Sequence, residues 1–134
     1  MKAADLAPWA IANKLAWAPL MFHAAKAARD LKVLLAVEGV KGGATREEIA
    51  ATTGLSLYAV GVLVDACEAL ELLESKEGRF RLLPAGWLIQ HDRMTRVHMD
   101  FSADVNYRGA EHLQEALKTG TPSGLKTLVS APHI

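Results

Sequence analysis

The side chains able to do chemistry are few and scattered. Five histidines stand along the chain, His23, His91, His98, His112 and His133. No two share the i, i+4 spacing that sets a pair of imidazoles on one helix face around a metal, and the single cysteine, Cys67, has no histidine beside it in sequence. The histidines therefore read as surface or boundary residues, and no metal ligand is expected. Cys67 lies on an apolar stripe with Asp65 and Glu68 close by, surroundings that disfavour a thiolate, so it reads as a small core residue. The serines, aspartates and glutamates form no triad and no carboxylate pair that a sequence motif would group. No catalytic residue is assigned. Gly39, Gly42 and Gly43 follow a helical pattern, not the strand that a phosphate-cradling loop needs, so no cofactor-binding residue is assigned either.

These residues sit in 134 positions, the size of one domain, with a 51% apolar content and only 6% aromatic. Alanine and leucine carry much of that content and favour helix. Basic and acidic side chains balance at 15 each. A nucleic-acid binder usually carries a basic excess, and none is present. The charge is unevenly spread: residues 1–43 hold six basic and three acidic groups, residues 44–92 four and eight, and residues 93–134 five and four. One cysteine permits no intrachain disulfide. No uncharged apolar run reaches the ~18 residues of a membrane span, and the N-terminus lacks a signal-peptide layout, so a cytoplasmic protein is expected.

Residues 5–38 read as helix, with Ala24, Ala27, Ala28, Leu31, Leu34 and Leu35 on the 3.6-residue period and Pro19 as the expected break between two helices. Trp9, Ile11, Leu15 and Trp17 lie on more than one face of the first, so that helix wants more than one neighbour, and in so short a chain another subunit can be one of them. Thr45-Arg46-Glu47-Glu48 is a capping box opening a helix to about Thr53, which Gly54 closes. Ser56 caps the next helix, whose stripe runs Val60, Leu63, Cys67, Leu70. Leu72–Ser75 and Arg79–Leu82 read as two short strands, with Phe80 and Leu82 sharing one face. Pro84-Ala85-Gly86 starts a short helix to about Gln90. Two more helices are expected at about 93–107 and 109–118, broken near Gly109, followed by a loose tail.

A capped helix, a Gly-Leu-Ser turn, a longer helix and a two-stranded wing make a winged helix-turn-helix, so the fold class is mainly α: a winged helix-turn-helix (about 45–72, wing about 72–83) with extra N- and C-terminal dimerisation helices. The long apolar helical N-terminus, the segment Met99-Asp100-Phe101 to Tyr107, and Leu113-Gln114-Glu115-Ala116-Leu117-Lys118-Thr119-Gly120-Thr121-Pro122 together resemble the N-terminal dimerisation domain of S-adenosylmethionine-dependent O-methyltransferases. The resemblance implies a winged-helix dimerisation domain over 1–118 and a linker, or truncated connection to a missing catalytic domain, over 119–134. It implies a homodimer and a non-catalytic domain that caps the substrate pocket. S-adenosylmethionine and a small-molecule substrate would belong to the parent enzyme, whose catalytic residues would lie beyond Ile134. It also implies that Met21, Phe22 and His23, with Met99, Phe101 and Tyr107, line that pocket; core or subunit interface is the alternative for these six.

The rival reading is a winged-helix transcriptional regulator. DNA readers place Arg, Lys, Asn or Gln on the recognition helix. The corresponding helix from Leu57 to Leu72 has none of the basic pair and carries Asp65, Glu68 and Glu71. The basic wing residues Lys76, Arg79 and Arg81 alternate with Glu74 and Glu77. Against a polyanion this face is repelled, so nucleic acid is disfavoured as a partner.

Overall fold

A computed structural model of the chain describes residues 3–129; His133 and the last part of the expected tail lie outside them. The molecule divides into two compact units, Met1–Asp92 and Arg93–Ile134.

The first unit is the winged helix with a long helix before it. Helix α1 spans Ala3–Asp30 without interruption, through both Pro8 and Pro19. This corrects the expected break at Pro19. A proline removes one intrahelical hydrogen bond and tilts the axis, but alanines and leucines on either side propagate the helix across it. The chain turns instead at Lys32, which adopts the left-handed conformation with φ 64° just before α2, Val33–Glu38. Asp30, held by Lys26 at 2.6 Å and Arg29 at 2.8 Å, closes the last turn of α1.

Helix α3, Arg46–Thr53, opens on the expected capping box: Glu48 N–H donates to Thr45 Oγ1 at 3.1 Å, and Thr45 N–H to Glu48 Oε2 at 2.9 Å. Gly54, at φ 77°, ends it in the left-handed conformation that glycine adopts without strain. Helix α4, Leu57–Ala69, is capped by Ser56, which accepts from Ala59 N–H at 3.1 Å. Its buried residues Val60, Leu63, Val64 and Cys67 repeat at i, i+3, i+4 and i+7. Strands β1, Leu73–Lys76, and β2, Arg79–Leu82, pair antiparallel with Ser75 opposite Phe80. Ala44 adds a bridge to Phe80 through hydrogen bonds of 2.8 and 2.9 Å, so the wing is tied to the segment before α3. Helix α5, Pro84–His91, follows. The core of this unit is Val33, Leu34 and Val37 of α2, Ile49 of α3, the buried face of α4, and Leu73 and Phe80 of the hairpin.

The second unit is a run of short helices. Helix α6, Arg93–Phe101, passes into a π-helical turn over Ser102–Asn106, then α7, Tyr107–Ala110. Helix α8 covers Leu113–Thr119 and ends on Gly120 at φ 67°. The expected break at Gly109 falls instead at 111–112. Gly109 stays helical within α7, and it is the facing Gly124 that close approach requires to be glycine: a Cβ there would stand 2.8 Å from Gly109 O. The tail is also more ordered than expected, with a 3-10 turn at Ser123–Leu125 and α9, Lys126–Val129.

Candidate subunit interface

The feature that sets this molecule apart from a self-contained winged helix is the first half of α1. From Leu6 to Leu20 every residue is exposed except half-buried Asn13. That stretch carries Leu6, Trp9, Ile11, Leu15, Trp17 and Leu20, with Trp9 67% and Leu20 61% exposed. A helix of about fifteen residues gains little from propensity alone in water and depends on burying a face. Six large apolar side chains in contact with solvent mark this helix as a binding element: Leu6, Trp9, Trp17 and Leu20 share one side, and Ile11 and Leu15 lie on the other. Only from Ala25 onward does α1 bury residues against its own fold, at Ala25, Ala28 and Arg29.

Where α1 meets α4 an apolar groove of about 250 Å³ opens, lined by Trp17, Leu20 and Ala24 on one side and Ala66, Ala69 and Leu70 on the other. The small alanines leave a depression between the larger flanking side chains. Its lining is nearly free of polar groups, so a matching apolar side chain gains burial there.

The face of α4 that a DNA reader would use is differently made. Tyr58 (83% exposed), Leu57 and Val62 are its exposed large apolar residues. The one acidic group there with a charged partner is Asp65, bound to Arg46 of α3 at 2.7 Å; the Arg46 guanidinium also lies 5.7 Å from the Phe80 ring centre. The wing arginines are exposed but bonded within the domain: Arg79 donates to Gly43 O at 3.1 Å and lies 3.5 Å from Glu48, and Arg81 donates to Gly42 O at 3.3 Å. These cations fasten the wing to its own domain.

Cys67 is fully buried, and burial pushes its thiol up to about 11, which makes it an inert core residue. Asp30 behaves oppositely: burial pulls its carboxyl up, but hydrogen bonds and charge from Lys26 and Arg29 outweigh that and hold it below its ordinary range. His91 pairs with Glu38 at 2.5 Å, linking α5 to α2, and its ring lies 5.3 Å from that of Trp87. His112 lies 3.6 Å from Glu115. Among the described residues no group of His, Cys, Asp or Glu is arranged to hold a metal, and no single helix is long and apolar enough to cross a membrane.

The six expected pocket-lining residues fall into two sets. Met21, Phe22 and His23 are on α1 in the first unit; Met21 helps line the α1–α4 groove, and the Phe22 and His23 rings meet edge to face at 5.5 Å. Met99 and Phe101 are on α6 and Tyr107 begins α7, in the second unit, where Phe101 is 55% exposed. That unit has its own cavity of about 410 Å³, whose polar side chains are Asn106 and His112 and whose apolar lining includes Leu113, Leu125 and Leu128. Sequence reasoning had singled out Trp9, Ile11, Leu15 and Trp17, but not Leu6, Leu20 or the α4 wall of the groove. Leu6 and Leu20 could have been found from their spacing to the two tryptophans; Ala66 and Ala69 could not, because alanines carry no local signal.

A winged helix-turn-helix preceded by a helix with an uncovered apolar face is the architecture of a domain built to pair. Residues 10–80 match the Dimerisation2-like domain, and the chain belongs to that family. Comparison with curated proteins gave no match. Among solved structures the fold is similar to that of the S-adenosylmethionine-dependent methyltransferase SibL in its apo form (TM-score 0.72, 21% identity, covering 94% of this chain and 36% of SibL). It is also similar to the pyocyanin biosynthetic protein PhzM (TM-score 0.72, 18% identity, covering 95% of this chain and 41% of PhzM). Human N-acetylserotonin methyltransferase in complex with SAM gives a TM-score of 0.64 at 22% identity, covering 90% of this chain and 37% of the enzyme. The chain thus spans about two-fifths or less of the length of the solved proteins it matches.

Proposed function

We propose that this chain is the non-catalytic dimerisation domain of a cytoplasmic S-adenosylmethionine-dependent methyltransferase acting on a small molecule. Two copies pair through the exposed half of α1. Residues 1–118 form the dimerisation domain, and 119–134 lead toward the part of the enzyme that binds the methyl donor. The observation that carries this reading is the uncovered apolar length of α1 in a domain of the Dimerisation2-like family. The methyltransferases of similar fold support the nature of the parent enzyme. Met21, Phe22 and His23, with Met99, Phe101 and Tyr107, are then the side chains that cap and line the substrate pocket.

The parent is tested by the mass of the native gene product, detected with an antibody to this domain, together with calorimetry of methyl-donor binding. The proposal expects a product of several hundred residues that binds S-adenosylmethionine, while the 134-residue chain alone does not. A native product of the 14.4 kDa chain mass contradicts it. In the long product, Phe22→Ala and Tyr107→Ala should raise the KM for the methyl acceptor and leave methyl-donor affinity unchanged; unchanged kinetics would remove the pocket-lining role.

A further inference from the structure

The exposed stretch of α1 has an internal symmetry. Leu6, Trp9, Asn13, Trp17 and Leu20 stand at −7, −4, 0, +4 and +7 about Asn13, and Ala10 and Ala16 at −3 and +3. At roughly 100° per residue, Leu6 and Leu20 fall about 20° to either side of Asn13, and Trp9 and Trp17 about 40° to either side. The five form one seam down the helix, and reversing the chain direction leaves the seam unchanged. Pro8 and Pro19 lie roughly 120–140° away from its centre, so their rings do not interrupt it.

A two-fold dimer demands this property. Across an isologous interface, residue i meets j and residue j meets i. When two copies of one helix cross antiparallel, i and j sum to a constant, and a seam that reads the same in both directions is self-complementary. We propose that two copies of this chain pair α1 against α1 antiparallel, with the two-fold axis at Asn13. Leu6 then lies against Leu20 of the second copy, Trp9 against Trp17, and Asn13 against itself. This rests on the dimerisation reading above and specifies its geometry.

Three features of the molecule favour this seam over the other side of α1. The Trp9 and Trp17 rings sit astride a centre made of Ala10, Asn13 and Ala16, so the backbones can approach where the helices cross. Asn13 carries both a donor and an acceptor, so two copies related by the axis can each donate to the other, the device by which one asparagine in an apolar seam fixes register and orientation. The seam also runs into the groove between α1 and α4, whose wall holds Leu20, Ala66, Ala69 and Leu70. In this register, Leu6 of the second copy arrives beside Leu20, at that groove.

Disulfide trapping in the 134-residue chain tests the register. With helix axes about 8–10 Å apart and Cα atoms about 2.3 Å off each axis, facing Cα atoms at the crossing lie about 3.4–5.4 Å apart, whose upper part falls within the roughly 4.4–6.8 Å that a disulfide spans. Asn13→Cys should cross-link to a dimer under mild copper–phenanthroline oxidation. Leu6→Cys mixed with differently tagged Leu20→Cys should give the mixed dimer. Leu6→Cys alone should not cross-link, because the two copies of residue 6 stand fourteen residues, roughly 21 Å, apart along the pair. Ile11→Cys and Leu15→Cys, on the opposite side, should stay uncrosslinked. Wild type, whose Cys67 is fully buried, is the background. If the chain sediments as a dimer but Asn13→Cys fails to cross-link, or Leu6→Cys alone succeeds, the antiparallel register is wrong and dimerisation stands. A chain that sediments as a monomer overturns both.

Discussion

Gly86 sets two effects against each other. It is an interior position of α5, where replacing glycine by alanine ordinarily stabilises a helix by about 1 kcal/mol. Here it is buried, and a Cβ would stand 2.3 Å from Leu72 O and 2.8 Å from Leu82 Cδ1. Leu72 O also accepts the Leu83 N–H at 3.0 Å, the bond that joins the start of α5 to the end of the α4 turn. Backbone cannot swing aside as a flexible side chain can. Overpacking of this kind costs about 1–3 kcal/mol, and a weakened hydrogen bond about 1 more. The clash therefore wins, and Gly86→Ala should destabilise the fold by about 1–3 kcal/mol net. With a urea slope of about 1–2 kcal/mol per M, the denaturation midpoint should drop by about 1 M. Gly39→Ala is the matched control: its φ is −68° and its Cβ would meet only Leu35 O at 3.5 Å and Ala36 O at 3.6 Å, ordinary contact distances. It should leave the midpoint unchanged or raise it. Both are to be measured at equal protein concentration, since pairing couples stability to concentration. A Gly86→Ala protein as stable as wild type would refute the close contact of α5 with the Leu72 carbonyl and the Leu82 side chain.

Thr45→Ala removes the acceptor for Glu48 N–H while leaving the Thr45 N–H bond to Glu48 in place; it should cost about 1 kcal/mol in thermal unfolding, and Thr45→Ser should restore most of it. Cys67, with its folded thiol raised to about 11, contributes stability that is complete below the unfolded value near pH 8.5 and is lost as pH rises toward 11. At about 1.4 kcal/mol per pH unit the loss reaches a few kcal/mol. Cys67→Ala should lack that alkaline decline relative to wild type in denaturant titrations, and an identical slope in both would refute the buried-thiol assignment. Asp30, held low by Lys26 and Arg29, supports the fold above the ordinary carboxylate range and loses that support as pH falls through its lowered value. Asp30→Asn should therefore flatten the acid limb of the stability curve.

Much of the first unit was legible because its signals are local. The capping box at Thr45 and Glu48, the Ser56 cap, Gly54 and the period-2 alternation of Arg79–Leu82 each specify their element within a few residues. What failed were positions where the competing force is tertiary. Pro19 looked like a stop but is carried inside α1. Gly109 looked like a break but lies inside α7, and the close backbone contact there depends on Gly124, which has no local signal of its own. The pairing of Arg46 with Asp65, nineteen residues away, had no signal in the sequence, because only the fold brings the two helices together. The proposed interface was half legible. Sorting Trp9, Ile11, Leu15 and Trp17 by helix face reveals only that α1 wants neighbours. The symmetry about Asn13 emerges once Leu6 and Leu20 are seen to be exposed along with the tryptophans.

The central claim is that α1 is uncovered in one chain because a second chain covers it. Sedimentation equilibrium of the 134-residue chain, with a Trp9→Ala, Trp17→Ala double variant alongside, tests it most directly. The account predicts twice the 14.4 kDa chain mass for wild type, and for the variant a dissociation constant weakened at least about thirtyfold, since two buried tryptophans per protomer are of hot-spot size. A wild-type chain that stays at 14.4 kDa up to about a hundred micromolar would contradict it.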